Sequence, residues 1–361
     1  MTVVGARPQF VKAAAVSRVL RKSFTEILVH TGQHYDKNMS GIFFEELGIP
    51  KPDYNLAVGS GSHGKQTAEM MAKLEEIIPK EAPDYVLVFG DTNSTLAATL
   101  VAAKLLIPVI HVEAGLRSFN KDMPEEQNRI VADHLSKLLF CPTDAAMENL
   151  KRENITDNVY QVGDVMCDAV LNYSKIIEGM DQESFMARLR YLFEWKEPLT
   201  SWYLATIHRA ENTRSAELIK EALDAFEKLD APVIFPIHPR IRGFIEGLQE
   251  KYQYTNVCFT EPFSYLEMLF FTKNAVKVVT DSGGLQKEAF IMKRNVITLR
   301  GETEWVETLE GNHNILCGLK TENILEAIGR KDINAAFNEN VYGNGKAVEK
   351  ICEVLKNFGA H

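Results

Sequence analysis

Short β-branched and apolar runs alternate with amphipathic stretches along nearly the whole chain, and this alternation limits the possible folds more than any other feature. TVVG gives way to a helical stretch from about Pro8; EILVHTG, YVLVFG and PVIHVEAG follow as strands, with NSTLAATLVAAKLL as the helix between the last two. That rhythm spells βαβ units and a parallel sheet, since parallel neighbours need a long crossover between them. After Glu125 the apolar Val131, Leu135 and Leu138 recur at helical spacing, so EEQNRIVADHLSKLLF is expected as one helix opened by its own glutamates, which suit the helix dipole.

The pattern restarts after a charged, strand-poor stretch at 173–198, with strands in SWYLATIHR, PVIFPIHP, NVCFTEP, AVKVVTDSGG and NVITLR. Two α/β domains are therefore expected, 1–170 and 171–345, with the boundary near 166–172. A final amphipathic helix at 346–361 is able to pack back on the first domain. The length of 361 residues agrees, because one hydrophobic core seldom serves that many.

A formal charge of −9 argues against nucleic acid as a partner, which calls for a basic footprint. No apolar run reaches the roughly 18 residues of a membrane span, and no basic-then-apolar leader opens the chain, so no membrane partner is expected. The first strand begins almost at Met1, as it would in a chain whose start had been trimmed. Cys141, Cys167, Cys258, Cys317 and Cys352 are scattered and odd in number, which fits reduced thiols and a cytoplasmic setting. No His or Cys pair has metal-ligand spacing, so neither metal nor cofactor is expected.

Ligands of open α/β sheets bind beyond the carboxyl ends of the strands. Here those positions hold Arg7, Asp91, Glu113, His208, His238 and the DSGG turn at 281–284. In IHVEAGLRSFNKDMPEEQNR, Glu113, Glu125 and Glu126 crowd among His111, Arg117 and Arg129. Glu113 directly follows an apolar strand and should be partly buried, so it needs a cation or a donor, and Arg117 is the expected partner. Asp91 reads either as a functional carboxylate or as the cap of the next helix. Ser282, Gly283 and Gly284 open a helix and can turn N–H groups toward a phosphate, with Glu288 about one turn further on to accept from sugar hydroxyls. Arg7 and Lys12 are cations at the first helix start, and His208 with Arg209 pairs a proton-transfer group with a phosphate-binding cation. His134, in register with Ile130 and Leu138, reads as structural.

Taken in order, GARPQFVK, GDTNST, HVEAGLRSFN, MPEEQNR, TIHRAEN, IHPR and TDSGGLQKEA resemble the non-hydrolysing UDP-N-acetylglucosamine 2-epimerase family over about residues 2–350. The resemblance implies an α/β fold of two Rossmann-like domains with a central cleft, like the glycosyltransferase-B enzymes, usually as a homodimer. It implies an isomerase that interconverts UDP-GlcNAc and UDP-ManNAc for cell-surface polysaccharide, by eliminating UDP across C1 and C2 and adding it back. It also implies roles: Asp91, Glu113, Glu125 and His208 for catalysis; Arg7, Lys12, Arg129, Arg209, His238, Ser282, Gly283, Gly284 and Glu288 for the UDP-sugar. Gln33, His34 and Lys65 match a region where some members bind a second UDP-sugar as activator. Gly301 and Trp305 depart from the common aspartate and arginine. GARPQF, GDTNST and VGDVMCDA are also similar to the branch acting on UDP-2,3-diacetamido-2,3-dideoxyglucuronate, which is the alternative substrate; a UDP-sugar glycosyltransferase is the further alternative.

Overall fold

The computed structural model describes residues 1–33, 46–333, 336–338 and 340–358, so His34 lies outside the described residues. The chain divides into two compact units, Met1–Leu171 with Glu339–His361, and Asn172–Asn338; the change falls within the helix Val165–Glu178.

The first unit is built on a parallel sheet of seven strands: β1 Thr2–Val4, β2 Leu28–His30, β3 Tyr54–Asn55, β4 Val86–Phe89, β5 Val109–Val112, β6 Leu138–Cys141 and β7 Val159–Gln161. Their order is β3-β2-β1-β4-β5-β6-β7. Every residue of β4, β5 and β6 is buried, which is why these strands read as continuous apolar runs. One core gathers Val3, Val29, Val86, Val88 and Val109 of the sheet against Met70, Leu74, Ile78, Ala97 and Val101 of the helices His63–Glu81 and Asn93–Lys104. The chain runs outward in opposite directions from the β1–β4 pair, so the topological switch point lies between the ends that carry Arg7 and Asp91.

The second unit repeats the plan with β8 Tyr203–Thr206, β9 Val233–Pro236, β10 Val257–Thr260, β11 Val278–Thr280, β12 Val296–Thr298 and β13 Asn314–Leu316, all parallel, in the order β10-β9-β8-β11-β12-β13. Its switch point lies between β8 and β11, the strands that lead to His208 and to the turn Asp281–Gly284. Tyr203, Ala205, Phe235 and Val279 of the sheet pack with Ile219, Leu223, Phe226 and Ile245 of the flanking helices.

Two sequence expectations change. The helix Pro124–Leu135 stops at Ser136, whose backbone is extended (φ −78°, ψ 142°) and whose hydroxyl donates to the Ala132 carbonyl (2.7 Å). Leu138 therefore belongs to β6 and not to that helix; an apolar run buried on both faces satisfies either period until neighbours decide. The second unit ends at Asn338, not 345, because the following segment is fastened to the first. The Asp164 N–H donates to the Tyr342 carbonyl (2.9 Å), and the Asp168 carboxylate caps the final helix Ala347–Phe358 by accepting from the N–H groups of Ala347 (3.1 Å) and Val348 (2.9 Å). That helix packs on the first one, Arg7–Leu20.

Candidate active site

At the carboxyl end of β5 the chain places Glu113 in a left-handed backbone conformation, φ +74°, which costs a non-glycine residue about 1–2 kcal/mol. The turn aims its buried carboxylate at Lys12, also buried, and the two form an ion pair. Arg117 is thus not its partner. The neighbouring turn allows the pair: Gly90 has φ +59°, and a Cβ there would lie 2.9 Å from the Glu113 Oε2 and 3.4 Å from the Lys12 Nζ. Arg7 stands half-buried at the same helix start.

Asp91 follows Gly90, and its Oδ2 takes a two-pronged contact from Arg129, with Nη2 at 2.6 Å and Nε at 3.0 Å. Capping of the next helix falls to Thr92, whose hydroxyl accepts from the Thr95 N–H (3.3 Å), so the cap reading of Asp91 does not hold. The third guanidinium nitrogen of Arg129 meets Glu126 (2.8 Å). Glu126 also accepts from the N–H groups of Ser118 (2.9 Å) and Phe119 (3.0 Å), and so pins the loop that precedes its helix. Its neighbour Glu125 is half-buried in the first helical turn, and no hydrogen bond or ion pair to its side chain is formed among the described residues.

Beneath these groups runs a buried charged network. Asp133 accepts from His111 Nδ1 (2.7 Å), the Arg117 Nη1 (2.7 Å) and the Gly115 N–H (3.1 Å), while Arg117 holds Glu153 with two further nitrogens (2.7 and 2.8 Å). Glu153 also meets the half-exposed His134 at 3.2 Å. Burial alone would raise the Asp133 carboxyl, but His111 and Arg117 outweigh it and hold it below the ordinary value.

In the second unit His208 ends β8 and Asp281 ends β11. Asp281, fully buried, accepts from the backbone N–H of His208 (3.1 Å), that of Arg209 (2.9 Å) and the Asn212 amide (3.1 Å), and it lies 3.0 Å from His208 Nδ1. Burial raises this carboxyl too, yet the imidazole and the N–H donors keep it low. The arrangement orients the imidazole and turns Nε2 away from the carboxylate, as the acid of a catalytic dyad does. The Arg240 guanidinium donates to the His208 carbonyl (3.0 Å), and the exposed His238 accepts from the Arg240 N–H (3.2 Å), its ring 6.1 Å from that of His208. Ser282 caps the helix Gly283–Ile291 by accepting from the Leu285 N–H (3.3 Å). Facing that helix start is Glu304, held by Arg300 (3.0 Å) and 3.8 Å from Arg209; a Cβ on Gly283 would lie 2.2 Å from its Oε1. Glu288 is buried and accepts from the Tyr265 hydroxyl.

Asp133 and Asp281 are both held below the ordinary carboxylate value, so acid should destabilise the fold in a defined window. A depressed folded-state value contributes stability above the unfolded value, near 3.8 for these aspartates, and loses it as pH falls through the folded one. Urea midpoints should stay level from neutrality to about pH 5 and drop below about pH 4. A drop concentrated between about pH 7 and 6 would assign the effect to a histidine instead.

Gln33 accepts from the Ser94 N–H (3.1 Å) and hydroxyl (2.7 Å), and Lys65 is exposed on the first turn of the helix His63–Glu81. Asp133, Asp281 and Glu304 carry roles that the motifs did not single out. Asp281 was within reach, lying directly after an apolar strand and before a capping serine. Among the described residues, no cluster of three His, Cys, Asp or Glu side chains is placed to hold a metal, and no helix is long and apolar enough to cross a membrane.

Residues 18–356 match the family model described as UDP-N-acetylglucosamine 2-epimerase. The chain belongs to that family. It is an epimerase, and its two units are those of the glycosyltransferase-B-like fold. It is 49% identical over 361 residues to a "UDP-N-acetylglucosamine 2-epimerase homolog" of Methanococcus maripaludis, covering 99% of each chain. It is 43% identical to the UDP-2,3-diacetamido-2,3-dideoxy-D-glucuronate 2-epimerase of Pseudomonas aeruginosa, covering 98% of each. The crystal structure of Methanocaldococcus jannaschii UDP-GlcNAc 2-epimerase in complex with UDP-GlcNAc and UDP is similar with a TM-score of 0.88 at 41% identity, covering 99% of both chains.

Proposed function

We propose that this epimerase interconverts UDP-N-acetylglucosamine and UDP-N-acetylmannosamine without hydrolysis. The C2 hydrogen of such a sugar is not next to a carbonyl and is poorly acidic, so direct deprotonation and reprotonation face a high barrier. Elimination lowers it: a carboxylate takes the C2 proton, the C2–H electron pair becomes the C1=C2 double bond, and the C1–O pair leaves with UDP. The product is 2-acetamidoglucal. Return of UDP to C1 with a proton delivered to the opposite face of C2 completes the inversion.

The observation that carries this reading is the placement of Glu113 on a buried lysine, in a strained turn beside Asp91, at the carboxyl end of the first sheet. Asp91, Glu113 and Glu125 are the acid, base and charge-stabilising groups of the first unit. The second unit holds the nucleotide: Ser282, Gly283 and Gly284 at the diphosphate with Arg209 and His238, Glu288 at the ribose, and His208 at the departing oxygen. Family resemblance gives Arg7 to the diphosphate as well, Lys12 sets the charge of Glu113, and Arg129 fixes Asp91. Cations and helix N–H groups suffice to neutralise the leaving diphosphate. Diphosphate binding at Gly283 takes the place that Glu304 fills here. Family resemblance supports a cytoplasmic homodimer that supplies a cell-surface polysaccharide, with Gln33, His34 and Lys65 as an activator site.

The identity to the P. aeruginosa enzyme favours one second reading, the diacetamido uronate as substrate. Proton NMR of each nucleotide incubated separately with the protein distinguishes the two, and a count of free UDP separates epimerisation from hydrolysis. Inverted signal from UDP-N-acetylglucosamine without stoichiometric UDP is the expected result. Silence with both nucleotides would remove the epimerase mechanism altogether.

A further inference from the structure

The elimination scheme gives no task to His111, which is fully buried on β5. Its ring spans two acceptors: Nε2 lies 2.8 Å from the Gly90 carbonyl oxygen and Nδ1 2.7 Å from the Asp133 carboxylate. A carbonyl cannot donate, so Nε2 must carry a proton. At Nδ1 the choice is between an imidazolium facing a carboxylate and a bare nitrogen facing a carboxylic acid. Asp133 decides it, because its other oxygen already accepts from Arg117 (2.7 Å) and the Gly115 N–H (3.1 Å), contacts that favour the ionised form.

The surrounding charges balance on that assignment. His111 and Arg117 are set against Asp133 and Glu153; His134 meets Glu153 at the rim; the thiol of Cys141 on β6, near Asp133, is pushed up and stays neutral; and the Lys12–Glu113 pair lies on the other side of Gly90.

We infer that His111 is a positioning residue whose ring, held between two acceptors, clamps the Gly90 carbonyl and so holds the turn on which Asp91 and Glu113 depend. The Gly90 N–H donates to the Val112 carbonyl (3.0 Å), so both faces of this turn are fastened to β5, at the two residues that precede Glu113. Release of the carbonyl lets the glycine turn rotate toward the Glu113 carboxylate and carries Asp91, the next residue, with it. The kinetic arm of this inference rests on the epimerase mechanism proposed above; the protonation state does not.

The first test uses wild-type protein labelled with nitrogen-15 at histidine. Both His111 ring nitrogens should resonate as protonated in the folded protein. One protonated and one bare nitrogen would overturn the proposal, and this measurement needs no variant to fold. The second compares two variants. Glutamine in His111→Gln reaches the Nε2 position and keeps a donor for Gly90, whereas asparagine in His111→Asn reaches only the Nδ1 position and faces Asp133. The clamp requires kcat of the Asn variant to fall about 10- to 100-fold below that of the Gln variant, with UDP affinity equal in both. Equal kcat values would reduce His111 to a structural member of the ion network. Absence of turnover by wild-type protein on either nucleotide would count against the reaction scheme and leave the imidazolium standing.

Discussion

Glu113→Gln is expected to lower kcat by roughly 10²- to 10⁴-fold while UDP still binds with wild-type affinity. Glutamine keeps the shape and an oxygen for Lys12, but it cannot accept the C2 proton, and most of the proposed nucleotide contacts, Arg7 aside, are assigned to the other unit. A modest stability loss should accompany it, on the order of 1–3 kcal/mol, because the buried Lys12 ammonium loses an ionised partner. Steady-state kinetics together with UDP titration calorimetry separate the two effects. If the folded protein retained most of its kcat and only the melting temperature fell, Glu113 would be a structural ion-pair member and another carboxylate would have to do the chemistry.

The second large effect is expected at Asp281→Ala, with a loss of about 3–5 kcal/mol in the stability of the second unit. The substitution strands the N–H groups of His208 and Arg209 and the Asn212 amide at a fully buried position, and it releases the imidazole. All three tryptophans, Trp195, Trp202 and Trp305, lie in that unit, so their fluorescence in urea follows its unfolding in particular. Weaker UDP binding should go with the shifted midpoint. A shift under about 1 kcal/mol would mean that the surrounding donors find water or other partners, and that Asp281 does not organise the end of β8.

The strands that end at the candidate site residues were legible in the sequence because burial on both faces writes itself as a local apolar run, whereas β3 and β13 were not read as strands. Arg7, Asp91, Glu113, His208 and the Asp281–Gly284 turn all stand at those ends. Pairing was not legible. Lys12 meets Glu113 across 101 residues and Arg117 meets Glu153 across 36, and no local spacing encodes such distances. Nor was the division of labour between Glu125 and Glu126, which differ by about 100° around one helix. One of them turns inward to Arg129 and the N–H groups of Ser118 and Phe119; which one depends on how the helix packs. Leu138 failed for a related reason, since the apolar run LLFC suits helix and strand equally until β5 and β7 pair with it.

The elimination mechanism is tested most directly by turnover of the nucleotide sugar in heavy water, with proton and deuterium read at C2 of both epimers. Passage through a glycal that exchanges its proton with a solvent-equilibrated carboxylate places deuterium at C2 of the inverted product from the first turnovers. Inverted product that keeps its original C2 hydrogen would contradict it.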